Sequence, residues 1–521
     1  MYRLFLDRLE SLAGRGPTNV LQRGLRGVEK ESLRVTPQGG ISTRDHPAAL
    51  GSALTHPWIT TDFSEALIEL ITPPVESNWE TLKFLCDVHQ FVYANIDGEM
   101  LWSTSMPCAV PGEDHIPIAR YGNSNVGQMK EIYREGLSHR YGRVMQAIAG
   151  VHFNYSLPEN FWPVFQDIEG VSADSRAFRD DGYFAMLRNF RRFGWLILYL
   201  FGASPAICKS FLGGRETSLE PMGQASYHAP FGTTLRMSDL GYRSSSQASI
   251  RICMNSLDEY VAGLQNAMRT PYPEYEKIGV RRDGEWLQLN ANILQIENEY
   301  YGNIRPKQIA LSGERPTLAL ERRGVAYVEV RALDVCPFDP VGVSQNEFRF
   351  LEAFLIYCLL MDSPPISGDE LDTCDTNHLA VAAGGRDPNL EIAIHGKKRP
   401  LVDWAAEILG HVEEVSRLLD SGAETPSYQA ALQTQRDKVA DSSLTPSARV
   451  LEEMRTTEES FFGFAQRMSS GHQEYFSDLA FTPAIEEEFR AEALRSVAQQ
   501  TTIEKSDDVS FEEYLRRYYE D

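Results

Sequence analysis

The chain has no Gly-x-x-x-x-Gly-Lys-Ser/Thr loop and no Gly-x-Gly-x-x-Gly stretch. Neither a P-loop nor a dinucleotide fingerprint is therefore present to cradle phosphate. There is no His-Glu-x-x-His, which removes the common helical zinc-protease site. Basic residues are scarce, 50 Lys and Arg against 73 Asp and Glu, for a net charge of −23. Nucleic acid is thereby excluded as a main partner, because duplex binding rests on neutralising phosphates with cations. Long apolar runs are also missing. The most apolar, Trp195 to Gly202, is far shorter than the roughly 20 residues that span a bilayer, so no membrane partner is expected. The first ten residues carry Arg3, Asp7, Arg8 and Glu10 and lack the apolar stretch of a secretory signal. Cysteine is sparse, seven residues with no Cys-x-x-Cys pair. The expectation is a reduced, cytoplasmic protein with mostly core thiols, not a disulfide framework or a zinc site.

What is present is ordinary globular material, 42% hydrophobic and 24% charged over 521 residues. At about 150 residues per domain the length suggests two to four units, which large α+β enzymes often merge into one body. No internal repeat or low-complexity tract occurs. Residues 20–335 mix alternating, strand-like segments with helices and loops, whereas the chain after 342 reads as almost entirely helical. We expect a catalytic α+β body over 1–342 and a helical part over 343–521 packed on it as one continuous unit. Three- and four-residue apolar spacing predicts helices over 78–95, 124–148, 176–200, 256–268, 345–361, 403–421 and 446–469. The acidic tail from Glu486 reads as a solvated amphipathic helix with a loose end, and no chemistry is assigned to it.

Four segments carry chemistry on a strand face. In Val28–Val35, two-residue alternation puts Glu29 and Glu31 on one side. In Val151–Ser156 it groups His152 with Asn154; in Leu294–Glu299, Gln295 with Glu297 and Glu299; in Tyr327–Leu333, Glu329 with Arg331. A fifth segment, Thr60–Pro73, holds Asp62, Glu65 and Glu69, the last inside the apolar run ALIELIT. An unpaired buried charge there costs several kcal/mol, so Glu69 is expected to line a site. Each segment alone has a plain reading as a solvated pair, an internal ion pair or a structural histidine. Taken together they do not. Two carboxylates ~4 Å apart repel by roughly 4 kcal/mol at an effective dielectric near 20. Glu29, Glu31, Asp62, Glu69 and Glu329 can share one pocket only with cations, and hard divalent ions are the fitting ones, Mg²⁺ where a nucleoside triphosphate also binds.

The blocks RGVEKESLRV (26–35), LGSALTHPWITTDFSEALIELITP (50–73), STSMPC (103–108), YREGL (133–137) and AGVHFNYSLP (149–158) follow in order. After them come FGWLILYLFGASPAIC (193–208), LRMSDLGY (235–242), LQIENEYYGNIRPK (294–307) and YVEVRALDVCPFDPVGV (327–343). Together they resemble the glutamate–cysteine ligase family (γ-glutamylcysteine synthetases) of the proteobacterial type, over residues 20–360. The resemblance implies a curved antiparallel sheet forming a funnel, related to the glutamine-synthetase catalytic sheet, with helices around it. It implies ATP-dependent joining of the γ-carboxylate of L-glutamate to the amine of L-cysteine, with Mg²⁺ (or Mn²⁺) as cofactor. By position, Glu29, Glu31, Asp62, Glu69, His152 and Glu329 match the family's metal-binding residues, and Arg236 and Arg331 the arginines that meet glutamyl and phosphoryl groups. Phe63, Tyr133, Arg134, Leu137, Gln146, Tyr242 and Tyr301 match the cysteine pocket. A monomer inhibited by glutathione is also implied. The Gly-containing segment 212–232 is the candidate for a closing loop. Two other readings stand beside this one: a γ-glutamyl ligase with another amine acceptor, and a metal-dependent phosphohydrolase.

Overall fold

The structure is a computed structural model, and it describes residues 2–14, 18–110, 112–241, 251–311, 313–394 and 396–520. Its centre is an 11-residue strand, β1 (Leu25–Val35). Around it lie β2 (Ile59–Thr61), β3 (Leu67–Ile71), β4 (Met100–Leu101), β5 (Val151–Ser156), β6 (Ile304–Lys307) and β7 (Tyr327–Leu333). The order is β6-β7-β5-β1-β3-β2, with β4 pairing the end of β1, and all pairings are antiparallel. The sheet stays open. The α+β class read from the sequence is the one the chain adopts.

Register decides what this sheet can do. Glu29 lies opposite His152, Glu31 opposite Glu69, Glu329 opposite Asn154 and Arg305 opposite Glu329. Residues directly opposite in an antiparallel pair point to the same face. One face therefore collects Glu29 and Glu31 of β1 with Glu69 of β3, His152 of β5, Arg305 and Lys307 of β6, and Glu329 and Arg331 of β7. The other face is mostly apolar: Val28, Ile68, Leu70, Phe153, Tyr155, Val328 and Val330 are all buried, and the buried cations it also carries on β1 include Arg26 and Arg34, ion-paired to Glu352 and Glu99. Helices α1 (Asn78–Asn95), α3 (Ser175–Phe193) and α4 (Gln345–Leu360) belong to this side, and Phe348 of α4 stacks on Phe153 with ring centroids 5.5 Å apart. The capping box of α4, Ser344 with Glu347, fixes its start next to the turn after β7.

Helix α2 (Asn125–Tyr141) runs along the polar face. Ser124 caps it by accepting from Gly127 N, and Gly142 ends it at φ 81°, where glycine relieves the left-handed strain. The expected helix over 124–148 is thus two pieces, the second being Arg143–Gln146. Likewise 446–469 divides into Pro446–Thr456 and Phe461–Asp478, with Glu458 at φ 55° between them. Leu294–Glu299 is not a strand: it forms a 3-10 turn at Glu297–Glu299. Its polar side chains turn inward to separate partners instead of sharing a sheet face.

The tail also differs from expectation. It forms α5 (Pro483–Ser506) and α6 (Phe511–Glu520), and Phe489, Phe511 and Leu515 are buried. Cys108 and Cys208, expected as separate thiols, are joined in a disulfide with Cα atoms 5.5 Å apart. They are 100 residues apart in sequence and meet only because the loop after β4 reaches the short strand Ala206–Cys208, a contact that Cys spacing cannot reveal. Cys86, Cys253, Cys336, Cys358 and Cys374 are thiols. No described helix is long and apolar enough to cross a membrane. Part of the 212–232 segment pairs as strands Glu220–Met222 and Ser226–His228 beside Ala206–Cys208.

Candidate active site

Above the polar face lies a cleft of about 330 Å³, a size that suits small-molecule substrates. Glu31, Asp62, His152, Arg236 and Arg331 line its floor, and Phe63, Tyr133, Arg134, Leu137, Gln146 and Tyr301 its wall. Eleven of the positions proposed from sequence thus meet around one space. Tyr242 lies outside the described residues.

Glu29, His152 and Glu329 form the tightest group, offering one carboxylate oxygen or ring nitrogen each, all within 4.8 Å of one another. His152 Nδ1 is 3.1 Å from Glu29 Oε2 and 3.9 Å from Glu329 Oε1, and its Nε2 is 3.6 Å from Glu31 Oε1. Burial and the Arg331 guanidinium lower the His152 pKa, so the ring is neutral near pH 7 and can act as a nitrogen ligand. Asn154 Nδ2 donates to Glu29 Oε1 at 3.0 Å, and Gly150 N donates to Glu31 Oε2 at 2.6 Å.

The acids are electrostatically frustrated. Burial and the Asp62 carboxylate push Glu31 up to about 8. Burial, then Glu29, Asp62 and Glu31, raise Glu69 well above the usual carboxyl range. Glu329 goes the other way: burial opposes its charge, but chiefly Lys307 and then Arg331 outweigh burial and hold it ionised. Lys307 Nζ and Arg331 Nη1 stand 3.3 and 3.2 Å from Glu329 Oε1, yet among the described residues neither buried Glu329 oxygen accepts a hydrogen bond, nor does Asn154 Oδ1. Buried acceptors normally find a donor or an ion. Oxygen donors left open, a neutral imidazole and carboxylates that repel one another fit one or more hard divalent cations.

Arg236 crosses from the other side. Its Nη2 donates to Arg331 O at 3.1 Å, and its Nη1 is 3.9 Å from Asp334, which Ser204, Thr234 and the Ala203 N–H hold in place. A Cβ at Gly150 would sit 2.1 Å from Arg236 Nη2, so glycine is needed there for the guanidinium to reach the floor. On the wall, Arg134 Nε donates to Asp62 O, and its guanidinium lies 4.6 Å over the Tyr121 ring. Phe63 and Leu137 are buried, giving an apolar notch beside a fixed cation. Tyr301 Oη bonds Met237 Sδ at 3.1 Å.

Several residues at the cleft were not singled out from sequence. Arg305 and Lys307 alternate on β6 in IRPK, a signal as readable as that of β7. Arg140 and Tyr141 also line the cleft, beside Glu299, which the sequence did single out; the three form an internal bond set, Arg140 Nη1 and Tyr141 Oη both donating to Glu299 Oε1 at 2.8 and 2.6 Å. Glu65, considered with Asp62 and Glu69, sits elsewhere: it accepts from the backbone N–H groups of His46 and Arg120, a structural task.

The family model described as glutamate–cysteine ligase matches residues 9–381. A glutamate–cysteine ligase of Azotobacter vinelandii is 49% identical over 524 residues, covering 99% of this chain and 98% of the relative. One from Pseudomonas aeruginosa is 47% identical over 518 residues, with the same two coverages. Among solved structures, the glutamate–cysteine ligase of Francisella tularensis in complex with AMP superposes with a TM-score of 0.90 at 38% identity, covering 96% of this chain and 98% of that one. The bifunctional glutathione synthetase of Pasteurella multocida shares the fold, with a TM-score of 0.74 at 24% identity over 94% of this chain and 58% of that one.

Proposed function

Because this chain belongs to the glutamate–cysteine ligase family, we infer that it uses ATP to join the γ-carboxylate of L-glutamate to the amine of L-cysteine. The products are γ-glutamylcysteine, ADP and phosphate, the first step of glutathione synthesis. The observation that carries the site assignment is the register of the sheet. It sets Glu29 against His152, Glu31 against Glu69 and Glu329 against Asn154, on the face that Arg236 and Arg331 overlook.

The γ-carboxylate attacks the γ-phosphorus of ATP, ADP leaves, and the cysteine amine then displaces phosphate from the γ-glutamyl phosphate. Two anions must meet in the first step. Arg331 and Arg236 place fixed positive charge where the phosphoryl oxygens gather charge, and preorganised charge in a dry site is worth far more than in water. Glu29, His152 and Glu329, with Glu31, Asp62 and Glu69 beside them, are the residues that would hold Mg²⁺ (or Mn²⁺). When bound, that ion neutralises carboxylate and phosphate oxygens together. Phe63, Tyr133 and Leu137 supply the notch for a small thiol side chain, and Arg134 a partner for the acceptor's carboxylate. Gln146, Tyr301 and Tyr242 complete that pocket in this reading. Walls that keep water out protect the acyl phosphate from hydrolysis, and segment 212–232, whose Arg215 lines the cleft, is the proposed lid.

We assign the catalytic body to residues 1–342 and a bracing role to 343–521. A monomeric cytoplasmic enzyme inhibited by glutathione belongs to the same reading, on the family resemblance. The test is a coupled ADP assay run with and without each amino acid, then with a panel of amines. ADP release is expected to need glutamate and to respond to cysteine before other amines. Glutamate-independent ATP hydrolysis would contradict the assignment.

A further inference from the structure

The last helix packs outside the main core. Phe511 and Leu515 of α6 do not join the main core. They form a separate apolar cluster with Met129 and Ile132 of α2 and with Leu289. The same helix α2 presents Tyr133, Arg134 and Leu137 to the cleft. One helix is thus held from outside by the tail and offers its inner side to the acceptor.

Hydrogen bonds repeat the connection at the start of α2 and, through the 289–299 loop, near its middle. At its start, the Asp507 carboxylate accepts from Asn125 N at 2.5 Å, and Val509 O accepts from Asn125 Nδ2 at 3.1 Å. An anion there satisfies an orphan N–H and complements the helix dipole. Further along, the Tyr519 hydroxyl accepts from Asn290 Nδ2 and donates to Gln295 O, both at 2.7 Å. Gln295 in turn donates from Nε2 to Tyr133 O at 3.1 Å, and from its backbone N–H to Glu299 Oε2 at 2.6 Å. Contact between this loop and the helix is tight: a Cβ on Gly136 would lie 2.1 Å from Gln295 Oε1. If Gln295 shifts, the turn carrying Tyr133 and Leu137 shifts with it.

We propose that α6 is a strap that positions the acceptor pocket, with Tyr519 as its hydrogen-bonded anchor and Leu515 as its packing anchor. Both are positioning residues: they act on cysteine through α2 and the 289–299 loop. The proposal rests on the ligase reading above. Glutamate and ATP, held by the sheet face, should scarcely register the strap, whereas cysteine should. The full-length enzyme with Tyr519→Phe, Leu515→Ala or Leu515→Met would be assayed for kcat and for the KM of each of the three substrates, with a thermal melt to confirm folding. Loss of one bridging hydroxyl should raise the cysteine KM about fivefold, and Leu515→Ala should raise it about tenfold or more. Leu515→Met, which keeps volume, should return it to within about twofold. The glutamate and ATP KM values should stay within about twofold throughout. A role confined to overall stability would lower kcat through the active fraction and leave all three KM values in place. That outcome, or equal rises in all three, would overturn the proposal; so would an unchanged cysteine KM in Tyr519→Phe. Failure of the wild-type enzyme to release ADP in response to glutamate and cysteine would instead overturn the ligase reading.

Discussion

Glu31→Gln should make the metal-free protein more stable and the enzyme inactive. Burial and Asp62 raise the Glu31 carboxyl from 4.5 to about 8. The unfolded chain titrates this group near its ordinary value, roughly 4.3. Between those values the folded state carries a proton that the unfolded state has lost, so stability falls as pH rises through this window and levels off above about 8. At ~1.4 kcal/mol per tenfold change in proton affinity the ceiling is ~5 kcal/mol. Water entry and relaxation of neighbours bring the expected figure to ~2–3 kcal/mol. Glutamine removes the ionisation but keeps an oxygen for Gly150 N, which donates to Glu31 Oε2 at 2.6 Å in the wild type. With an unfolding entropy of ~2.1 cal/mol/K per residue, the gain corresponds to about 2–3 °C in Tm. Thermal melts in chelator from pH 5 to 9 should show the variant pulling ahead as pH rises, reaching a constant lead above pH 8. Saturating Mg²⁺ should shrink or reverse the lead, because the ion stabilises only the wild-type carboxylate. A lead that does not vary with pH, or a variant less stable in chelator at pH 9, would refute the reasoning.

Mg²⁺ added to the wild-type protein at pH 7 should release protons, since an ion must displace the proton on a carboxyl raised to about 8. Titration calorimetry in two buffers of different ionisation enthalpy would show this as a buffer-dependent heat, absent at pH 9. Arg331→Lys keeps the charge but loses the planar fork, so turnover should fall about 100-fold or more, read as kcat in the coupled ADP assay; an unaltered rate would remove Arg331 from the site. Gly150→Ala places a methyl 2.1 Å from Arg236 Nη2 and should raise the glutamate KM at least about tenfold with little change in Tm, whereas an unaffected KM would place Arg236 away from glutamate.

Most of the sheet was readable because strand alternation is a local property. VEKESLRV, VHFNYS and YVEVRAL each declare a polar face, and an antiparallel sheet needs only register to bring those faces together. Glu69 was readable for a different reason, as a carboxylate inside an apolar run. The same alternation misled at Leu294–Glu299. Gln295, Glu297 and Glu299 are polar and evenly spaced, but each turns to its own partners: Gln295 to Leu289 N and Tyr133 O, Glu297 to Arg315 and Thr317, Glu299 to Arg140 and Tyr141. Tyr133, Arg140 and Tyr141 are about 160 positions away, and bonds to them and to Leu289, Arg315 and Thr317 overrode the local pattern. The tail hid its role in a similar way. Its charges suggested solvent exposure, while the contacts that matter are made by Phe511, Leu515 and Tyr519 with residues more than 200 positions earlier. The Cys108–Cys208 disulfide was invisible on the same grounds.

The most direct test of the central claim is Mn²⁺ binding followed by electron paramagnetic resonance, on the wild-type protein and on Glu29→Gln and Glu329→Gln. Convergence of these acids on one cation site predicts tight binding by the wild type, loss of at least one bound ion in either variant, and turnover lost at low Mg²⁺ with the fold intact. Unchanged Mn²⁺ occupancy and normal turnover in both variants would contradict it.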